Sequence, residues 1–206
     1  MIRITASERV LFVGATGSGK TLLARRLMQP LRRIIVIDPK HTFTAPGFKN
    51  ADKLHFWQRK EFRIITRPDR GNDERLRDMI EKVYKDGNLT IYVDELSSLA
   101  DRFPLTLETL EDIARTGREK MVSLWTAVQR PRWTPKIFAT ETESFFIFNL
   151  RAQEDRDYIS GFAGDVFRTP LEPHEFFYCR ADANEPPERM KLDTKTNVIY
   201  SLGKEV

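Results

Sequence analysis

The chain is predicted to fold as a three-layer α/β domain, a mostly parallel central sheet with helices on both faces, and three observations predict it. Apolar runs of strand length alternate with helical stretches, as expected when crossover helices cover a parallel sheet. A glycine-rich turn, Gly14-Ala15-Thr16-Gly17-Ser18-Gly19-Lys20-Thr21, follows the first apolar run directly and opens a helix. A later run, Thr90-Ile91-Tyr92-Val93, ends on the acidic pair Asp94-Glu95.

In chain order, strands are expected near 9–14, 34–38, 62–66, 89–94, 121–128 and 144–150, and helices at 20–29, 73–85, 106–117 and 152–163. A segment at 39–61, containing Pro39, Pro46, Gly47 and Trp57, is longer than an ordinary connection, and loops of that length are functional or mobile. A tail at 182–206 opens on Asn184-Glu185-Pro186-Pro187, a boundary signal, and its stretch Asn197 to Leu202 reads as a short edge strand or docking arm. The whole of 1–206 is expected to be one domain, a length that buries a sufficient core.

Composition narrows the function classes. Lys plus Arg number 34 against 30 Asp plus Glu, a net charge of +4 that permits a polyanionic partner without requiring one. A single cysteine, Cys179, excludes an internal disulfide framework, fits a reducing compartment, and reads as a buried strand residue beside Phe176, Phe177 and Tyr178. No apolar run approaches the ~20 residues that span a bilayer, so no transmembrane segment is expected. His41, His55 and His174 have no spacing with each other or with Cys179 that would build a metal site, so no metal is expected beyond one carried by a nucleotide.

The turn at 14–21 matches G-x-x-x-x-G-K-[ST] in full, in the strand-to-helix context its chemistry requires. Gly14, Gly17 and Gly19 let the backbone curl so that successive N–H groups converge at the positive end of the following helix, which makes a cradle for phosphate. Ala15, Thr16 and Ser18 contribute backbone amides to it. Lys20 is expected to reach the β- and γ-phosphates, and the Thr21 hydroxyl to coordinate Mg²⁺. The expected cofactors are therefore ATP and Mg²⁺, and the fold is that of a P-loop NTPase of the RecA/ASCE-like kind.

Asp94, ending a buried strand, is the expected second Mg²⁺ residue, and Glu95 the group that orients or deprotonates the attacking water. A carboxylate after the metal aspartate separates a hydrolysing motor from a P-loop kinase that keeps only the metal residue.

Five stretches together resemble the FtsK/HerA superfamily of ring-forming DNA pumps, and in particular the compact genome-packaging ATPases of membrane-containing icosahedral viruses. They are GATGSGKT at 14–21, Ile37-Asp38-Pro39-Lys40, Val93-Asp94-Glu95-Leu96, Arg115-Thr116-Gly117-Arg118 and Thr126-Ala127-Val128-Gln129-Arg130-Pro131, and the resemblance runs from Val10 to about Arg180. It implies an ATP-hydrolysing double-stranded DNA translocase acting as a homo-oligomeric ring, a hexamer, with capsid vertex or viral membrane proteins as further partners. The corresponding location is the host cytoplasm or the packaging vertex of the virion. Gln129 matches the family's polar sensor, and Arg115 or Arg118 its arginine finger acting on the neighbouring subunit. A turn-capping role for Gln129 and a solvated helix-end role for the two arginines remain open from the residues themselves. Asp38 either supports the nucleotide site or caps a turn. Leu171 to Tyr178 is similar to a late strand of the family that completes the fold. Where other members carry Gly-Glu after Asp-Pro-His or Asp-Pro-Lys, this chain continues His41-Thr42. No membrane anchor, winged-helix tail or inserted barrel is visible, which favours the minimal viral motor.

If DNA passes through a ring, residues that follow phosphates without reading bases are expected at its wall. Candidates are Lys40, Lys49, Lys53, Arg59 and Lys60 in the long loop, and Arg130, Arg132 and Lys136 after the sixth strand; an ordinary solvated surface accounts for them equally well. The competing functions are a cellular or plasmid DNA pump, a phage-morphogenesis ATPase of the zonula occludens toxin-like kind, and a monomeric P-loop switch or kinase.

Overall fold

The computed structural model describes residues 2, 4–50, 59–167, 170–181 and 185–204. Its strands are β1 (Arg9–Val13), β2 (Arg33–Ile37), β3 (Lys49–Asn50), β4 (Phe62–Thr66), β5 (Leu89–Val93), β6 (Val122–Val128), β7 (Ser144–Ile147), β8 (Glu175–Arg180), β9 (Glu188–Asp193) and β10 (Val198–Lys204). They form one sheet in the order β10-β9-β8-β7-β1-β6-β5-β2-β4-β3. From β7 to β3 all neighbours are parallel, and β8, β9 and β10 extend the sheet antiparallel from β7.

The helices are α1 (Lys20–Leu27), α2 (Asp73–Asp86), α3 (Leu96–Ala100), α4 (Pro104–Thr116), α5 (Ile137–Thr140) and α6 (Gln153–Ala163). Pro104 stands in the first turn of α4, where its missing N–H costs nothing. Alternation along the strands sorts the core into two layers. Leu11, Val13, Ile91, Val93 and Leu124 face Leu76, Ile80, Leu110, Ile113 and Ile159 of α2, α4 and α6. On the opposite face Val10, Phe12, Tyr92 and Trp125 pack with Leu23 and Ala24 of α1 and with Phe43 and Met28. This is the three-layer P-loop arrangement, although among the described residues α1 alone of the helices contributes buried residues to the second cluster. Trp125 is part of that core, between Phe12 and the buried Ser123 hydroxyl that its indole N–H meets at 2.8 Å.

The sequence expectation places β1, β2, β4, β5, β6 and β7 and the four longer helices within a few residues of their positions. The late strand and the edge strand are present as β8 and β10. Between them lies β9, a strand the sequence reading lacks. Its residues alternate, with Met190 and Leu192 buried between charged neighbours, a half-buried strand pattern that the preceding Pro186-Pro187 obscured. Within the long segment, β3 pairs with β4 through only Lys49 and Asn50, and Trp57, His55 and Lys53 lie outside the described residues. Cys179 is buried in β8, and burial pushes its thiol up to about 12, which leaves it inert as a nucleophile.

Candidate functional site

A parallel sheet gathers the loops that follow its strands along one edge, and the turn at 14–19, the acidic pair and Gln129 all follow neighbouring strands of the order β1-β6-β5. The turn is pinned at its start. Gly14 N–H donates to the Val128 carbonyl at 3.1 Å and Ala15 N–H to Asn149 at 2.8 Å. A side chain at Gly14 would place its Cβ 2.6 Å from the Phe148 Cβ, so only glycine lets the loop lie this close to β7. Gly19, with φ of 111°, is the left-handed residue from which α1 starts.

Lys20 opens α1 and curls back over the loop, donating from Nζ to the carbonyls of Gly14 at 2.7 Å and Ala15 at 3.0 Å. Burial pulls its pKa down to about 8, opposed by Glu95 and Asp94. A cation buried at this cost, in a ring of backbone groups and beside the start of a helix, fits an anionic ligand. The Ser18 hydroxyl oxygen is buried in the same turn with no hydrogen-bond partner among the described residues, which fits the same ligand.

Thr21 donates from Oγ1 to Asp94 Oδ1 at 2.9 Å, so the two expected metal residues meet across the gap between α1 and β5. Their oxygen atoms are the donor type a Mg²⁺ ion takes with triphosphate. Tyr92 also donates its hydroxyl to Asp94 Oδ1, at 2.6 Å. Burial, then the Asp94 charge, raises the Tyr92 phenol well above its ordinary value, so it stays a neutral donor and fixes the carboxylate. The sequence reading counted Tyr92 only as a strand former. The missed signal is the two-residue strand period, which puts Tyr92 and Asp94 on one face.

Glu95 is nearly buried and takes a left-handed backbone conformation, φ 79°. Its Oε2 lies 3.5 Å from Lys40 Nζ. Gln129 receives a hydrogen bond from Thr16 Oγ1 at 2.8 Å, which links the residue after β6 directly to the phosphate loop. Asp38, fully buried, caps a turn: it accepts the backbone N–H groups of Thr42 at 3.1 Å and Phe43 at 2.8 Å and pairs with Arg67 at 3.2 Å.

Arg115 and Arg118 are not part of this cluster. Arg115 pairs with Glu111 and Asp112 on its own helix, and Arg118 pairs with Glu143. Glu143 in turn accepts the Arg9 backbone N–H at the start of β1. Both arginines stand at the end of the parallel strands opposite the chain's own phosphate loop, out of reach of a nucleotide bound there.

The basic candidates divide between the two ends of the sheet. Arg59 and Lys60 precede β4 at the end away from the phosphate loop, and Arg59 lines a groove of about 370 Å³ with Lys49, Arg32 and Arg63. Arg130, Arg132 and Lys136 follow β6 at the phosphate end. Arg130 is held by the buried Asp155 at 2.6 Å and lies 4.2 Å over the exposed Trp133 ring, and Arg132 pairs with Glu154 at 3.3 Å. Lys136 is exposed and, unlike Arg130 and Arg132, makes no ion pair with an acidic residue among the described residues. Two groups at opposite ends do not form one patch. Among the described residues no three His, Cys, Asp or Glu side chains assemble as a metal site, and no helix is long and apolar enough to cross a membrane.

Residues 6–132 match the AAA domain family, more than half of the chain. The chain belongs to the AAA domain family. It is also similar to the DNA packaging ATPase P9 of Enterobacteria phage PRD1, with 27% identity over 203 residues that cover 95% of this chain and 83% of the phage protein. Among solved structures, the genome packaging NTPase B204 from Sulfolobus turreted icosahedral virus 2 superposes with a TM-score of 0.69 at 17% identity, covering 98% of this chain and 99% of that one. VirB4 of Thermoanaerobacter pseudethanolicus shares the fold with a TM-score of 0.60 at 9% identity, over 96% and 89% of the two chains. The AAA domain is a P-loop fold, in agreement with the site built from Gly14 to Thr21.

Proposed function

We propose that this protein is a viral genome-packaging ATPase, which hydrolyses ATP with Mg²⁺ and uses the energy to move double-stranded DNA into a capsid as a ring of identical subunits. The observation that carries the reading is the likeness to the PRD1 packaging ATPase across 95% of this chain, because it spans the phosphate loop, the acidic pair, Gln129 and the antiparallel extension together. B204, which shares the fold, is itself a packaging NTPase that has been solved with AMPPCP and with ATP-gammaS. Mg²⁺ would be held by Thr21 and Asp94 and would neutralise charge on the β- and γ-phosphates.

The chain's own residues divide the remaining work. The backbone amides from Gly14 to Thr21 bind the phosphates, and Lys20 adds the positive charge. Tyr92 orients Asp94. Glu95 accepts a proton from the attacking water or turns it toward phosphorus, and Gln129, already on the loop through Thr16, is placed to sense the terminal phosphate. Among the described residues the site's own cations are Lys20 and Lys40, the latter paired with Glu95, and no arginine of this cluster reaches the transferring phosphoryl group. Arg118, with Arg115 beside it, supplies one to the neighbouring subunit's nucleotide, which makes the ring a catalytic requirement. Its partners are DNA, further copies of this chain and proteins of the packaging vertex, and its place is the host cell during assembly and the vertex of the virion.

The test is steady-state ATP hydrolysis with and without long double-stranded DNA across salt and protein concentration. Stimulation by DNA that weakens with salt and rises cooperatively with protein is the expected result. A flat, DNA-indifferent rate at every concentration would favour the monomeric P-loop switch instead.

A second experiment addresses the arginines. Arg118→Ala subunits are expected to lose hydrolysis by roughly 10³-fold or more, the range measured for an arginine finger. Mixing them with Glu95→Gln subunits that keep Arg118 should restore turnover at the mixed interfaces. No recovery with Arg118, or with Arg115 tested alike, argues for a structural role.

A further inference from the structure

The turn that follows α4 is held to the sheet from several sides. A side chain at Gly117 would bring its Cβ to 2.9 Å from the Val122 carbonyl, so the chain turns tightly against the start of β6. The carbonyls of Lys120 and Met121 accept the N–H groups of Asn88 at 2.9 Å and Leu89 at 3.3 Å, which ties the turn to β5. Arg9, the first residue of β1, holds it from a third side. Its buried guanidinium donates to the carbonyls of Ala114 at 2.8 Å and Arg115 at 3.3 Å, and so caps the last turn of α4.

Glu143 joins this frame to Arg118. Its backbone is fixed between two strands: its N–H donates to the Arg9 carbonyl at 3.0 Å, and its carbonyl accepts the Ala181 N–H at 2.9 Å. The two oxygens of its carboxylate take different partners. Oε2 accepts the Arg9 backbone N–H at 3.0 Å and lies 3.8 Å from the Arg9 guanidinium, whereas Oε1 accepts one N–H of Arg118. The Arg118 side chain is 67% exposed and that of Glu143 23%, so the pair is anchored at the carboxylate and open at the guanidinium. The other N–H groups of Arg118 meet no side-chain or backbone acceptor among the described residues. Arg115 differs, because its partners Glu111 and Asp112 stand on its own helix and tie it to no other element.

We propose that Glu143 is a positioning residue for the arginine that acts on the neighbouring subunit, holding one edge of the Arg118 guanidinium so that its free donors are presented to the next subunit's terminal phosphate. This rests on the reading of Arg118 as the trans-acting group. A long exposed arginine samples many rotamers and must be ordered each time it engages. A planar fork held at one edge keeps its remaining donors in a fixed direction. Glu143 can do this because its own backbone and its second oxygen belong to the buried frame of β1. The same contact selects Arg118 over Arg115 as the acting residue.

The experiment measures ATP turnover by the full-length protein for Glu143→Gln, alone and premixed with Glu95→Gln or with Arg118→Ala subunits. The Arg118→Ala and Glu95→Gln mixture runs beside it. Glutamine retains an acceptor for the Arg9 N–H and removes the charge that holds Arg118. Glu143→Gln is expected to lower kcat roughly three- to tenfold, as a reacting group that is no longer held in place, with KM for ATP changed by less than about twofold. Glu95→Gln subunits donate a held Arg118, so mixing with them should restore turnover at the Glu143→Gln sites. Arg118→Ala subunits donate no arginine, and mixing with them should restore nothing. Damage to the fold would not depend on which neighbour supplies the arginine. A wild-type kcat in Glu143→Gln, or a loss that both mixtures or neither mixture repairs, overturns the proposal while leaving Arg118 in its role. No recovery in the Arg118→Ala and Glu95→Gln mixture overturns the assignment of Arg118, and that of Glu143 with it.

Discussion

Lys20→Ala is expected to abolish ATP hydrolysis and, with it, a pH dependence of nucleotide binding. Loss of one buried charge aimed at developing negative charge costs about 10²- to 10³-fold or more in kcat. The structure adds the binding signature. Burial in the phosphate loop lowers the Lys20 pKa to about 8, so near neutral pH the lysine is charged and above about 8 it is increasingly neutral. Bound triphosphate favours the ammonium and raises that pKa, so binding above it must take up a proton. The sign follows: affinity is level below about pH 8 and falls with rising pH, approaching a tenfold loss per unit until the pKa of the complex is reached. Nucleotide affinity measured from roughly pH 7 to 9.5 should show this slope in the wild type and lose it in Lys20→Ala. The same slope in both proteins would remove Lys20 from the phosphate contact.

What the sequence disclosed, and what it concealed, follows from how local each interaction is. The phosphate loop was legible because its function lies in backbone shape, and three glycines within six residues dictate that shape; even the tight approach of Gly14 to Phe148 is answered by the residue type alone. Asp94 was legible from its place at the end of an apolar strand. Tyr92 carries the same local signal, two residues before Asp94, but in the sequence it counts only as one of four strand-favouring residues. The contact of Lys40 with Glu95 could not be read, because it depends on a turn closed by Arg67, 29 residues from Asp38 in the chain. The same limit applies to charge. Arg130 and Arg132 look like a basic run in the sequence, and only the docking of α6 brings Asp155 and Glu154 against them. β9 was hidden because its antiparallel partners β8 and β10 give it half a buried face, and the alternation of one Met and one Leu is weak beside two prolines.

Glu95→Gln should still bind ATP and stop turning over. The amide keeps the size of the side chain and can still receive a hydrogen bond, but it takes no proton from water, and removal of a general base costs roughly 10²- to 10⁴-fold. Binding is spared because the groups that hold the phosphates, Lys20 and the amides of the loop, do not pass through Glu95. The nearest direct consequence is at Lys40, which loses its anionic partner at 3.5 Å. Only the lysine of that pair is substantially exposed, and the glutamine amide oxygen can still accept a hydrogen bond from it, so the thermal midpoint is expected to stay within a few degrees of the wild type. The measurement is a pair: nucleotide affinity at equilibrium and phosphate release over time. Tight binding with no release places the chemical step on Glu95. Normal release would move it to another residue that reaches the same water, and Gln129, bonded to Thr16 on the loop, would then be the side chain to replace next.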